Sequence, residues 1–92
     1  MQLQQLRTYC EVAAELSFTR AARNLHYAQS TVTAQIRSLE ETVGARLFDR
    51  SRRRIALTDA GRQFLPHALR IIEITEAARQ EMQGLERTGR AA

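Results

Sequence analysis

The chain has 92 residues, 43% of them hydrophobic and 26% charged, with a formal net charge of +4 at pH 7. That length suits one small domain with one extra element and a modest core, so a partner chain is a reasonable expectation. A single cysteine excludes an intramolecular disulfide and points to an intracellular setting, no run of about 18 apolar residues predicts a membrane span, and MQLQQLR lacks the apolar stretch of a secretory signal.

All fourteen basic residues are arginine, the side chain suited to planar recognition of phosphate and guanine. Their charge is concentrated. Residues 17–58 carry eight arginines against Glu40, Glu41 and Asp49, whereas the segments on either side are close to neutral. An excess held in the middle third favours nucleic acid over a generally sticky surface.

Residues 2–16 read as a helix with an apolar stripe of Leu3, Leu6, Cys10, Ala13 and Ala14. Cys10 on that stripe reads as a core thiol, not a nucleophile. Ser17 is placed to cap a short second helix, FTRAARNL, with Thr19 as a competing cap. Small Ala21 and Ala22 allow a close helix crossing, and Leu25 anchors the same face. His26 and Tyr27 make a brief connection.

The stretch Ala28–Val43 predicts the helix around which the chain is organised. Val32, Ile36, Leu39 and Val43 recur at helical spacing and form an apolar back. Its leading end carries Gln29, Ser30, Thr31, Thr33, Gln35 and Arg37, with acids only later, at Glu40 and Glu41. Neutral donors and acceptors followed by a cation suit base edges better than a metal or a carboxylate. Two short helices joined this tightly form a helix-turn-helix pattern, with a generic helical hairpin as the plain alternative.

Gly44 ends that helix. Leu47–Arg50 and Ile55–Thr58 then read as two strands of a small hairpin, with Ser51 to Arg54 at its tip. Such a hairpin is marginal alone, so Phe48, Ile55 and Leu57 must pack on the helices. Arg50, Arg52, Arg53 and Arg54 make its tip basic. A charged turn is usually only solvated, but after a helix-turn-helix it becomes a wing placed for phosphates or the minor groove.

Thr58 is placed to cap a last helix, with Asp59 near its positive end. This helix predicts a run to about Leu85 or Arg87, and nearly thirty residues span roughly 40 Å. Phe64, Ala68, Ile71, Thr75, Ala78, Met82 and Leu85 alternate at spacings of four and three, a heptad seam that reads as a dimer interface. Leu65, Leu69 and Ile72 form a second stripe expected to pack on the domain's own core. Pro66 predicts a bend in the second turn. The expected organisation is a winged helix-turn-helix over residues 1–58, a linker or dimerisation helix over 59–87, and a flexible tail or hinge over 88–92.

Neither His26 nor His67 has partners at metal-ligand spacing, so no metal is expected. There is no glycine-rich phosphate loop, and no nucleophile, base and orienting group can be assembled, so no catalytic residue is expected.

The pieces SFTRAA, the Gln29-led helix with IRSLEE, Gly44 followed closely by RLFDR, and LTDAG stand in an order that resembles the N-terminal DNA-binding region of LysR-type transcriptional regulators. The resemblance is close over residues 2–66 and looser along the last helix. It implies a mainly helical fold: a winged helix-turn-helix of three helices and a two-stranded wing, followed by a long linker helix. It implies a homodimer through antiparallel linker helices, with further assembly to a tetramer in full-length members. It implies binding to an interrupted palindrome in promoter DNA, in the bacterial cytoplasm, as activator or repressor. Members usually carry a C-terminal domain for a small-molecule effector. That domain is absent from this chain, so no cofactor is expected here and the chain looks like a fragment.

By position, the resemblance places Gln29, Ser30, Thr31 and Thr33 at the bases of the major groove. Arg37 falls at a phosphate, Ser17 and Thr19 fall near the backbone, and Arg52 and Arg53 fall at the wing tip. Three departures stand out: Ala28 replaces the usual hydroxyl cap, Ala34 stands where many members have arginine, and the tip lacks a common glycine. A winged-helix module that binds another protein, its arginines merely solvated, is the competing reading, and an enzyme is the third.

Overall fold

In the computed structural model, which describes residues 1–88, the chain forms α1 (Leu3–Glu15), α2 (Phe18–Leu25), α3 (Gln29–Val43), β1 (Phe48–Asp49), β2 (Ala56–Leu57) and α4 (Asp59–Thr88). The expected winged helix-turn-helix with a long trailing helix is the observed architecture. Of the expected tail, residue 88 closes α4 and residues 89–92 lie outside the described residues.

The buried face of α1 differs from the expected stripe. Leu6, Thr8, Tyr9 and Val12 are buried, Cys10 and Ala13 are half-buried, and Ala14 is exposed. The reason is that α1 is enclosed on two sides. Toward α3, Thr8 Oγ1 donates to Gln35 Oε1 and Gln5 Nε2 donates to Ser38 Oγ at 3.0 Å. Toward α4, the Tyr9 hydroxyl donates to Gly61 O at 2.6 Å, and Arg7 pairs with Glu76 at 3.0 Å. Tyr9 therefore sits at the centre, its ring 5.5 Å from those of both Phe48 and Phe64. Burial pushes its hydroxyl up to about 12 and the Cys10 thiol up to about 11, which keeps both protonated near neutral pH.

Ser17 caps α2 as expected: its Oγ accepts the Arg20 N–H at 3.1 Å. Ala21 and Ala22 are buried, so α2 lies close against its neighbours. The helix-turn-helix connection turns at His26, which adopts a left-handed φ of 60° while the Tyr27 N–H returns to Ala22 O at 2.9 Å. α3 then starts without a side-chain cap at Ala28, packs Val32, Ile36 and Leu39 inward, and stops at Gly44 with φ 77°.

The wing is shorter than expected. Only Phe48↔Leu57 and Asp49↔Ala56 pair, antiparallel. At the inner end the Leu47 N–H turns to Glu40 Oε2 at 2.8 Å. At the outer end the Asp49 carboxylate takes both the N–H (3.0 Å) and the hydroxyl (2.6 Å) of Ser51, which folds the chain out of the ladder. These two bonds shape the tip that has no glycine, and they hold the Asp49 carboxyl below the usual carboxylate range. Phe48 is buried, and Ile55 and Leu57 pack half-buried against the core, as their pattern required.

Thr58 caps α4, accepting the Gly61 N–H at 3.0 Å while donating to Arg46 O. The helix runs unbroken through Pro66. A cut at Thr58 separates elements but not packing, because Ala60, Phe64, Leu65, Ala68 and Ile72 all pack on the core. Two expectations on α4 change. Ala68 is 0% exposed and belongs to the domain's own interior, so it has no surface to give a second chain. Leu69, expected inside, is 50% exposed, because the inward arc runs through Phe64, Leu65, Ala68 and Ile72 and leaves position 69 behind. Ile72 is the last residue of α4 that packs on the hydrophobic core, Glu76 still pairs with Arg7, and the molecule measures 58 Å along its longest axis.

Candidate nucleic-acid interface

The helix-turn-helix places the first turn of α3 at the surface. Gln29, Ser30 and Thr31 are exposed, and Thr33 is half-buried. No side chain caps the helix, so its positive end stays open to an anion. Ser17 and Thr19 flank this turn from α2, and the Thr19 hydroxyl donates to Gln29 Oε1 at 2.9 Å. Gln35, which the sequence grouped with the polar nose, faces α1 instead through its bond with Thr8.

The wing folds back toward the same surface. Ser17, Gln29 and Thr33 share a cleft of about 470 Å³ with Arg50, Arg53 and Arg54. The helix nose and the basic wing tip thus meet on one concave face. Arg53 and Arg54 are exposed there. Arg52 turns to the other side of the tip, 4.0 Å from Asp49, and lines a second cleft with Arg46 and Arg62.

Arg50 stands apart from the other wing arginines. Its guanidinium lies 4.6 Å over the Phe18 ring, 3.8 Å from Glu40, with Nε and Nη2 buried and without a hydrogen-bond acceptor among the described residues. Burial pushes its pKa below the usual arginine value, Glu40 opposes that, and Arg37 and Arg46 reinforce it. Arg50 is thus the root of the wing, with one edge at the cleft, whereas Arg53 and Arg54 are its free cations.

Arg37 is exposed farther along α3 and shares a cleft with Glu40, Glu41 and Arg46. Two arginines of this surface were missed in the sequence. Arg46 is exposed at the base of the wing, and Arg20 meets Ser17 and Arg54 at a cleft on the edge of the interface. Arg20 had a signal: it stands three residues after the Ser17 cap, on the leading turn of α2. Arg46 had none beyond its neighbours, because its position depends on how the hairpin folds back. Among the described residues no group of three or more His, Cys, Asp and Glu is placed to hold a metal, and no helix is long and apolar enough to cross a membrane.

A second exposed surface runs along α4. Ile71, Ile74, Ala78, Met82 and Leu85 are exposed at helical spacing, and Ile74 is the most open at 64%. This stripe continues into a shallow groove lined by Val43, Leu47, Ala60, Phe64 and His67. Of the residues expected in the seam, Ile71, Ala78, Met82 and Leu85 are exposed and Phe64 is half-buried, and Ile74, not among them, is exposed beside them. Thr75 is half-buried and its hydroxyl bonds back to Ile71 O at 2.8 Å.

The model of the bacterial regulatory helix-turn-helix proteins of the lysR family matches residues 3–62. The chain is 44% identical over 88 residues to an uncharacterized HTH-type transcriptional regulator, YwqM of Bacillus subtilis (strain 168), covering 96% of this chain and 30% of that protein. Among solved structures it is similar to the BenM_DBD/catB site 1 DNA complex, with a TM-score of 0.88, 32% identity, and 92% and 96% of the two chains covered. It is also similar to Vibrio fischeri DarR in complex with DNA, with a TM-score of 0.90, 30% identity, and 95% and 30% covered. The chain spans about 30% of the length of several of the curated relatives it matches and about 60% of two others.

Proposed function

The chain belongs to the lysR family of bacterial regulatory helix-turn-helix proteins, and from that membership we propose that it is the sequence-specific DNA-binding module of a dimeric transcription regulator. The observation that carries this reading is the shared face of α3 and the wing. Gln29, Ser30 and Thr31 stand on the leading turn of α3, and Arg53 and Arg54 stand across one cleft from it. A helix of this width enters the major groove of B-DNA, where uncharged amide and hydroxyl groups meet base edges. The arginines then reach the flanking backbone or minor groove, where their role is affinity and register.

On this reading Gln29, Ser30, Thr31 and Thr33 face bases. Ser17, Arg37, Arg52, Arg53 and Arg54 face the backbone, with Arg20 and Arg46 added to them. Two copies pair through the exposed stripe of α4, which fixes the distance between two recognition helices and matches an interrupted palindrome. The regulator works in the bacterial cytoplasm and performs no catalysis in this module, which needs no cofactor. A small-molecule effector is read by parts of the protein outside these residues. The relatives solved with DNA support this reading by likeness.

The test is a duplex titration at several salt concentrations. Binding through the six arginines of each copy predicts a log–log salt slope of about −5 per bound copy. Undetectable binding to any duplex at low salt overturns the reading and leaves the protein-interaction module in its place.

A further inference from the structure

Thr19 and Gln29 are ten residues apart and are joined by one hydrogen bond, 2.9 Å from the Thr19 hydroxyl to Gln29 Oε1. We propose that Thr19 is a specificity-determining positioning residue: it orients the Gln29 amide for base reading and is not itself a phosphate contact. The proposal rests on the DNA-binding reading above and names how that site chooses its base.

A hydroxyl has a single proton to donate, and a phosphate oxygen only accepts. Thr19 spends its proton on Gln29, so none remains for a phosphate. Ser17, on the same turn, is in the opposite position. Its Oγ accepts the Arg20 N–H at 3.1 Å, which uses a lone pair and leaves its proton free for a backbone oxygen. Two neighbouring hydroxyls of similar chemistry are thereby given different tasks.

The consequence falls on Gln29. An amide has two ends of nearly equal shape, one an acceptor and the other a double donor, and turning it over exchanges them. An exposed glutamine samples both. Here the carbonyl end is held toward α2. The two Nε2 protons and one lone pair of Oε1 then remain, and among the described residues the Gln29 side chain makes no other hydrogen bond. Adenine presents an N7 acceptor beside an N6–H donor in the major groove. The held amide matches that pair, with Nε2 donating to N7 and Oε1 accepting from N6–H. Ala28 and Ala34 on the same helix end bring no polar group to compete.

The experiment is selection of bound duplexes from a randomised library by the wild-type chain, Thr19→Val, Thr19→Ser, Gln29→Ala and the Thr19→Val/Gln29→Ala double variant. Valine keeps the branched shape on an exposed helix position, and serine keeps the hydroxyl. The wild type and Thr19→Ser should enrich adenine at one position of each half-site, and Gln29→Ala should lose that enrichment. Thr19→Val should reduce it by about 3- to 10-fold, the scale of immobilising one rotamer-rich side chain. Its affinity for random duplex and its salt slope should not change, and the double variant should match Gln29→Ala. Equal weakening of Thr19→Val on selected and random duplexes overturns the proposal in favour of a phosphate contact. Full retention of the preference overturns it outright. If the wild type selects no sequence at all, the DNA reading itself falls, a result distinct from either of these.

Discussion

Glu40 of α3 accepts the Leu47 N–H at 2.8 Å and the Phe48 N–H at 3.3 Å through one oxygen, so the wing hangs from the recognition helix on a single buried carboxylate. The other oxygen faces Arg50 at 3.8 Å. Glu40→Ala would leave two backbone donors and a guanidinium without their partner. It should cost about 2–4 kcal/mol in denaturant unfolding, while Glu40→Gln, which keeps one carbonyl acceptor, should cost about half as much. Equal costs would mean that the charge, not the acceptor, does the anchoring.

Gly61 lies where α4 passes close against the base of the wing. A Cβ there would stand 2.2 Å from Leu47 O, a backbone atom that cannot swing aside. Alanine in a helix interior is normally worth about 1 kcal/mol over glycine. The clash should outweigh that gain, so Gly61→Ala should destabilise by at least about 2 kcal/mol. Gly84→Ala meets nothing within 4 Å and should raise the melting temperature. Parallel thermal melts of the two variants give opposite signs if the packing is as described.

The sequence made the helices legible because their boundaries are chemical: Ser17 and Thr58 cap, Gly44 stops, and the apolar spacing of α3 matches its buried face. It misplaced the buried faces of α1 and α4 for a common reason. Helical spacing offers more than one apolar stripe, and only tertiary contacts such as those of Tyr9 and Ala68 decide which residues face inward. The role of Glu40 was hidden similarly. Its type and position suit a solvent-facing acid, and nothing local says that the wing will fold over it. The candidate site was legible as residue types at the nose of α3 and in the arginine run. That Arg50 turns inward while Arg53 and Arg54 face Gln29 depends on the fold of the hairpin.

Arg53 and Arg50 should separate affinity from stability. Arg53→Ala removes an exposed cation and should weaken binding to selected and random duplexes alike, reducing the salt slope by about one, without changing the melting temperature. Arg50→Ala removes a guanidinium held over Phe18 and facing Glu40, and should cost about 1–2 kcal/mol of folding stability before any effect on DNA. Binding isotherms and thermal melts on both variants check the division. A Arg50→Ala protein as stable as the wild type would remove its structural role.

The stripe on α4 predicts how the chain assembles. Ile74 is 64% exposed and makes no core contact, so Ile74→Glu should leave the domain folded and move it toward monomer by about tenfold or more in dissociation constant. Ala68→Glu, at a fully buried position, should unfold the domain instead. Sedimentation equilibrium with circular dichroism distinguishes the two, and an intact Ile74→Glu dimer would rule out this face.

Arg7 and Glu76 tie α1 to α4 beyond Ile72, its last residue on the hydrophobic core, and the tie should be sensitive to acid. Hydrogen bonds from Arg79 and then from Arg7 hold the Glu76 carboxyl below its ordinary value of 4.5. A carboxylate lowered in the folded state contributes stability that is complete above its unfolded pKa and is lost as pH falls through the folded one. Glu76→Gln has no such proton to take up. Its melting temperature should lie below that of the wild type near neutral pH, and the two should converge as pH falls below about 4. Arg7→Ala should move the acid limb less than Arg79→Ala, because Arg79 makes the larger contribution. A constant offset between wild type and Glu76→Gln from neutral pH into acid would show that the pair acts through shape alone.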